Sequence, residues 1–124
     1  KEFALSRIKL TIGTEDKKIS IDKDTLMQVL INLIKNGFES TDNAVVHLTV
    51  RTDKNKTDII IEDNGPGFTE EKLKNSFEPF ATTKKDGSGL GLVISHRIVN
   101  DHNGILELSN SEQGGGRVTI TLPN

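Results

Sequence analysis

A glycine-dotted segment at residues 84–95, KKDGSGLGLVIS, is the first place in this chain where the residue types suggest chemistry. Its glycines lead directly into an apolar, helix-like stretch. Glycine lets backbone N–H groups crowd around an anion, and a helix N-terminus favours negative charge. The segment fits neither the P-loop nor the dinucleotide fingerprint GxGxxG, whose last position falls on Leu92. Alone, it is equally compatible with phosphate binding and with a flexible loop before a helix.

A polar stripe lies on the predicted first helix and comprises Gln28, Asn32, Lys35, Asn36 and Glu39. Asn32 and Asn36 are four positions apart and therefore project on the same face. Each asparagine inside a helix costs up to ~0.7 kcal/mol relative to alanine, so two on one face require an explanation. Either the face is solvated, as we expect for Lys35, or the amide oxygens enter a polar cleft where one could ligate a hard cation such as Mg²⁺. The spacing leaves both interpretations open.

A third candidate is Asp63, at the end of a predicted strand and just before the turn NGPG at residues 64–67. Aspartate is common in turns, yet a carboxylate flanked by glycines can also approach a flat ligand and accept a hydrogen bond from an amino group. Phe68, Phe77 and Phe80 follow in a long segment without strand character. Because exposed phenylalanines would be costly, we expect them to tie this segment down as a lid.

The elements that would position these residues follow from hydrophobic periodicity and turn signals. In the first half of the chain, the sequence predicts strands at residues 3–12 and 17–22, a helix capped by Asp22 or Asp24, and a β-hairpin over 45–63. In the second half, it predicts a helical patch at 70–76 and a helix over 89–102 that ends at Asn103 and Gly104. Two strands at 105–110 and 117–122, joined by a glycine turn, close the chain. This order predicts an α+β fold with a largely antiparallel sheet and helices on one face.

The composition bounds the class of protein. With 124 residues the chain has the length of one domain, and its 16 basic and 18 acidic residues give no case for a nucleic-acid or anionic-membrane partner. The absence of cysteine excludes disulfides, thiolate metal sites and cysteine nucleophiles. No apolar run approaches the length of a membrane span.

Four segments in a fixed order point to one protein family. They are NLIKNGFES (32–40), DNGPGF (63–68), FEPFATTK (77–84) and GSGLGL (87–92). Together they resemble four motifs of the ATP-binding catalytic domain of the sensor histidine kinases that belong to two-component systems. In chain order these motifs are the asparagine box, the first glycine box, the phenylalanine box and the second glycine box. The resemblance continues to the closing GGGRVTITLP and covers nearly the whole chain. It implies a Bergerat-type α/β sandwich with a mixed, mostly antiparallel sheet of about five strands on three helices and a long ATP lid.

The resemblance also implies roles by position. Asp63 would accept a hydrogen bond from the adenine amino group. Asn36 would ligate Mg²⁺ between the phosphates of ATP, and Asn32 would contact phosphate or order water beside it. Backbone N–H groups at the start of the second helix would hold the phosphates, with Lys84 offsetting their charge. The nucleotide-binding residues implied are Asn32, Asn36, Asp63, Gly65, Gly67, Phe80, Thr82, Thr83, Lys84, Gly87, Ser88, Gly89, Leu90 and Gly91; the catalytic ones are Asn32, Asn36 and Lys84, and the metal ligand is Asn36.

The residue at position 32 bears on the reaction. ATP-hydrolysing relatives place a glutamate general base four residues before the magnesium asparagine, where this chain has Asn32. An amide cannot take up a proton near neutral pH, which favours transfer to another side chain over a gyrase-like ATPase. A non-catalytic ATP-binding regulatory module is the alternative. Two departures also stand out: Glu39 replaces a basic residue of some members, and Gly116 replaces a threonine of many.

The phosphoacceptor is not expected within this chain. His47, His96 and His102 lie outside the His-Glu-x-x-x-Pro setting of the family's acceptor helix, so we expect structural roles for them. The acceptor would belong to a dimerisation domain upstream of Lys1 in a homodimeric parent, which would pass phosphate to a response regulator receiver domain. We expect residues 1–124 to form a single catalytic domain that binds ATP or ADP as a cytoplasmic monomer with little turnover. The parent could be anchored to a membrane.

Overall fold

The computed structural model of the chain describes residues 8–12, 21–75, 77 and 90–124. Its elements are β1 (Ile8–Ile12), α1 (Lys23–Phe38), β2 (Val46–Thr52), β3 (Lys56–Asp63), α2 (Glu70–Lys74), α3 (Leu90–Asp101), β4 (Ile105–Asn110) and β5 (Gly116–Pro123). Within these ranges, no helix has both the length and the apolar character needed to cross a membrane.

The five strands form one mixed sheet in the order β1-β2-β3-β5-β4. β1 pairs with β2 in parallel, whereas the other three pairings are antiparallel. α1 and α3 pack against each other, α1 against β2 and β3, and α3 against β4. This arrangement confirms the predicted α+β fold and its mostly antiparallel sheet.

The core lies between these two helices and the sheet. Its buried side chains are Val29, Leu33, Phe38, Ala44, Val46, Ile59, Ile61, Val99, Leu106, Val118, Ile120 and Leu122. Successive side chains of a strand point to opposite faces, so Ile59, Ile61 and Asp63 all project toward the helices. The core residues of β3 thereby fix the direction of the carboxylate that ends the strand.

α1 begins where Asp22 caps it. The Asp22 side chain accepts hydrogen bonds from the Thr25 N–H and hydroxyl, at 2.9 and 2.6 Å. The hydroxyl bond, and then the amide bond, lower the pKa of the Asp22 carboxyl. Of the two predicted caps, Asp22 is therefore the one used. The strand predicted over 17–22 is wrong at its end, because Ile21 and Asp22 form the entry to the helix; residues 17–20 lie outside the described ranges.

α3 ends at the predicted stop. The Gly104 N–H donates to the Val99 carbonyl at 2.9 Å, and Asn103 adopts a left-handed backbone with φ of 63°. This is the hydrogen-bond pattern of a Schellman motif. A Cβ on Gly104 would lie 2.7 Å from the Thr121 carbonyl oxygen, so glycine lets the end of α3 pack directly on β5.

Leu33→Ala should lower the free energy of unfolding by about 2–5 kcal/mol, because it leaves a cavity in a packed core. Leu33 is 1% exposed, whereas Ile31 on the same helix is 48% exposed. The control Ile31→Ala should therefore cost less than about 1 kcal/mol. Urea unfolding followed by circular dichroism measures both values. Equal losses in the two variants would contradict the assignment of the core face of α1.

Candidate functional site

The carboxylate of Asp63 is held by two backbone donors. Its Oδ1 accepts from the Gly65 N–H at 2.9 Å and from the Gly116 N–H at 3.1 Å. Among the described residues, no hydrogen-bond donor lies on Oδ2. An ionised carboxylate accepts hydrogen bonds at both oxygens, so Oδ2 is the candidate acceptor for an N–H or O–H group of a ligand. The orientation of the carboxylate is thus fixed by the backbone before any ligand arrives.

The last turn of α1 lies beside Asp63. A Cβ on Gly37 would be 2.9 Å from Cγ2 of Val46 and 3.6 Å from Cβ of Asp63. Glycine at this position therefore allows the helix to approach the end of β3. Asn36 immediately precedes it and is half-buried, as is Asn32 one turn earlier. The two asparagines predicted to act together therefore share the helix that packs against the aspartate.

The polar stripe of α1 divides by exposure. Gln28, Lys35 and Glu39 are exposed, while Asn32 and Asn36 are half-buried. Lys35 therefore lies in solvent, as predicted. Within the described ranges, no group of three or more His, Cys, Asp or Glu side chains could hold a metal ion. The amide oxygen of Asn36 fits Mg²⁺ chemically, since that ion takes few protein oxygens and completes its shell with water and phosphate.

The turn after β3 rests on the end of α1. A Cβ on Gly65 would lie 2.5 Å from the Ser40 hydroxyl oxygen, and that hydroxyl donates to the Gly37 carbonyl at 2.7 Å. Gly67 has φ of 83°, a left-handed conformation that side chains rarely adopt. The first glycine box therefore needs glycine at both positions, once for space and once for backbone conformation.

The start of β5 closes the other side of Asp63. A Cβ on Gly115 would lie 1.9 Å from the Asp63 carbonyl oxygen, so no side chain can be accommodated there without a backbone shift. A Cβ on Gly116 would lie 3.0 Å from both Asp63 Oδ2 and Cε2 of Phe68. The position where many family members have threonine is thus lined by the ring of Phe68.

The remaining predicted residues divide by location. Phe77 is half-buried and stacks on the ring of His96 in α3, with ring centroids 3.8 Å apart and an interplanar angle of 7°. This contact confirms that the first phenylalanine of its box is tied down.

Leu90 and Gly91 begin α3, as predicted. Seven predicted site residues lie outside the described ranges: Phe80, Thr82, Thr83, Lys84, Gly87, Ser88 and Gly89.

Each of the three histidines lies in or next to a helix or strand. His47 lies in β2, His96 stacks on Phe77, and the Nδ1–H of His102 donates to the Ile98 carbonyl at 2.7 Å. That none of the three is the phosphoacceptor stays an expectation from the sequence.

A cavity of about 480 Å³ opens on the face of the sheet opposite the helices. Its lining includes His47, Glu62 and Arg117, the last two joined by an ion pair at 3.2 Å. Asp63 also borders the cavity, at the end of β3. The side chains of Glu62 and Arg117 point away from the core, whereas the Asp63 carboxylate shares the face of Ile59 and Ile61. The cavity is therefore lined mainly by side chains of the face that carries Glu62 and Arg117, and Asp63 contributes to its border.

Sequence reasoning missed the residues that support the glycine box. These residues contact it from the end of α1, the end of β4 and the turn before β5, and they are Ser40, Asn110 and Gly115. The available signal was weak: an asparagine at the end of a strand before a glycine turn, and a serine after a helix. Their partners are distant in sequence, as for Asn110 and Phe68, which are 42 positions apart.

Comparisons with known proteins agree with this geometry. Residues 21–124 match the family described as histidine kinase-, DNA gyrase B-, and HSP90-like ATPase. Sporulation kinase A of Bacillus subtilis is 36% identical over 117 residues, which are 90% of this chain and 19% of that kinase. The chain thus spans about a fifth of the length of this relative.

Solved structures show the same fold. The catalytic domain of histidine kinase ThkA superposes with a TM-score of 0.79 at 32% identity, covering 94% of this chain and 79% of that domain. ThkA in complex with the response regulator protein TrrA gives a TM-score of 0.79 at 29% identity, covering 94% of this chain and 33% of that one. The chain therefore belongs to the histidine kinase-, DNA gyrase B- and HSP90-like ATPase family, and within it to the catalytic domains of histidine kinases.

Proposed function

We propose that this chain binds Mg-ATP and donates the γ-phosphate to a histidine on a separate dimerisation domain of the same protein. The observation that carries the proposal is the Asp63 carboxylate, whose Oδ1 accepts from two backbone N–H groups, while no donor from the described residues contacts its Oδ2. An adenine amino group is a donor that suits Oδ2. Guanine carries a carbonyl oxygen at the corresponding ring position, and two acceptors facing each other would repel.

Magnesium and the phosphates would lie on the α1 side of Asp63. Asn36 offers an amide oxygen as the metal ligand, and Asn32 contacts phosphate or orders water one turn earlier. The backbone N–H groups of residues 87–91 and the Lys84 side chain would compensate phosphate charge. The start of α3 at Leu90 supports this arrangement, because a helix N-terminus favours anions.

Phosphoryl transfer at such a site depends mainly on positioning and charge neutralisation. Asn32 cannot act as the general base that activates a water, so the natural acceptor is a nucleophile supplied by another domain. The settings of His47, His96 and His102 support an acceptor elsewhere, in a dimerisation domain upstream of Lys1. The greater length of the curated relatives is consistent with such a domain, and the solved complex of ThkA with TrrA supports a response regulator as the next partner.

Asp63→Asn should weaken ATP binding at least tenfold. The oxygen of the introduced carboxamide can still accept the two backbone N–H groups, but its NH₂ then faces the adenine amino group, and a buried hydrogen bond worth about 1.5–3 kcal/mol is lost. Isothermal titration with ATP and Mg²⁺ measures the affinity. Asp58→Asn is the matched control, because Asp58 lies on the same strand and accepts from the Thr121 hydroxyl. Unchanged affinity in Asp63→Asn would reject the adenine role.

Asn36→Ala should remove most of the magnesium dependence of ATP affinity, because the metal loses its protein oxygen. The measurement compares dissociation constants with Mg²⁺ and with EDTA in the native chain and in the variant. Gln28→Ala, an exposed change on the same helix, is the control and should keep the native ratio. A magnesium effect of native size in Asn36→Ala would rule out Asn36 as the ligand.

The isolated chain should bind ATP without sustained hydrolysis, because position 32 lacks a proton acceptor. Release of inorganic phosphate should stay at the level of the Asp63→Asn variant. Turnover well above that level would favour a gyrase-like ATPase instead.

A further inference from the structure

We infer that Asn110 is a positioning residue for base recognition: its carboxamide fixes Phe68, whose ring limits the space beside Oδ2 of Asp63. The site would thereby favour nucleotides whose exocyclic amino group carries no substituent. The inference rests on the proposed function, because it assumes that this amino group donates to Oδ2.

Asn110 clamps the backbone of Phe68 through two hydrogen bonds. Its Oδ1 accepts from the Phe68 N–H at 2.7 Å, and its Nδ2 donates to the Phe68 carbonyl at 3.0 Å. A carboxamide carries an acceptor and a donor on separate atoms, so it can satisfy both backbone groups at once. An ionised aspartate at position 110 could accept from the Phe68 N–H but could not donate to the Phe68 carbonyl. The clamp joins the first glycine box to the end of β4, two parts of the chain that are far apart in sequence.

The conformation of Gly67 is adapted to this clamp. A Cβ on Gly67 would lie 2.9 Å from Asn110 Oδ1 and 2.3 Å from the Gly114 carbonyl oxygen. The turn can therefore approach Asn110 only with glycine at this position. Gly67 has a left-handed backbone as well, which brings the following residue, Phe68, into reach of the carboxamide.

The clamped residue lies next to the recognition carboxylate. Cε2 of Phe68 and Oδ2 of Asp63 are each 3.0 Å from the same point, the position that a Cβ on Gly116 would occupy. The ring and Oδ2 therefore border the same space beside Gly116. We expect an amino group that donates to Oδ2 to approach the ring across this space, so that an added methyl group would displace the ring.

The test compares ATP with N6-methyl-ATP by isothermal titration with Mg²⁺. In the native chain, ATP should bind at least about tenfold more tightly, the size of effect that one misplaced methyl group produces in a fitted pocket. In Asn110→Ala and in Phe68→Ala the preference should fall to about threefold or less, because the ring no longer restricts the space. Asn110→Asp keeps one of the two hydrogen bonds and should give an intermediate ratio.

Asn124→Ala is the matched control. Asn124 also clamps backbone through its carboxamide, donating to the Asp53 and Lys56 carbonyls at the opposite end of the sheet. Its loss should lower stability without changing the ratio of the two affinities. If Asn110→Ala does not fold, Phe68→Leu reports on the ring with the clamp in place and should also reduce the preference.

The outcomes separate the two hypotheses. A native chain that binds both nucleotides equally, or an Asn110→Ala chain that keeps the native ratio, would overturn the inference while ATP binding and its loss in Asp63→Asn still stand. A native chain that fails to bind ATP, or an Asp63→Asn variant that binds ATP as well as the native chain, would overturn the proposed function and the inference with it.

Discussion

The structure depends on the close approach of three backbone segments around one carboxylate. The end of α1, the turn after β3 and the start of β5 meet at Asp63, and each contributes a glycine where a Cβ would enter occupied space. Cβ positions on Gly37, Gly65 and Gly115 would each lie less than 3.0 Å from the nearest neighbouring atom. Protein interiors are close-packed, so a side chain at such a contact would require the two packed segments to move apart. The hydrogen bonds that orient Asp63 would then be lost.

The core determines where this junction forms. Ile59 and Ile61 are buried between β3 and the helices, and the period of two along the strand directs Asp63 to the same side. Antiparallel pairing with β5 then brings the Gly116 N–H to the carboxylate, because Glu62 and Arg117 are paired one step earlier in the register. A slip of one residue would turn the carboxylate to the helix-free face. The same apolar packing that stabilises the fold therefore sets the orientation of the Asp63 carboxylate.

Much of this could be predicted from the sequence, because it depends on local patterns. The helix that carries Asn32 and Asn36, the strand that ends at Asp63 and the stop at Asn103 follow from periodicity, caps and turn residues. The contacts of Asn110 and Ser40 could not be predicted, since they join segments that only the sheet topology brings together. The choice between Asp22 and Asp24 as helix cap also needed coordinates. Local signals identify the functional groups, whereas long-range contacts decide how rigidly these groups are held.

Residues 32 and 63 differ in their chemistry, and this difference bears on the reaction. Asp63 is an acceptor fixed in advance by two N–H donors, so in the proposed site it would recognise the base without first having to reorient. Asn32, on the half-buried face of α1, supplies an amide where hydrolysing members of the family have a proton acceptor. A site that holds its nucleotide firmly but cannot activate water keeps the γ-phosphate until a suitable nucleophile arrives. In the proposed function, binding and transfer would thus be separate steps, and the approach of another domain would decide when phosphate moves.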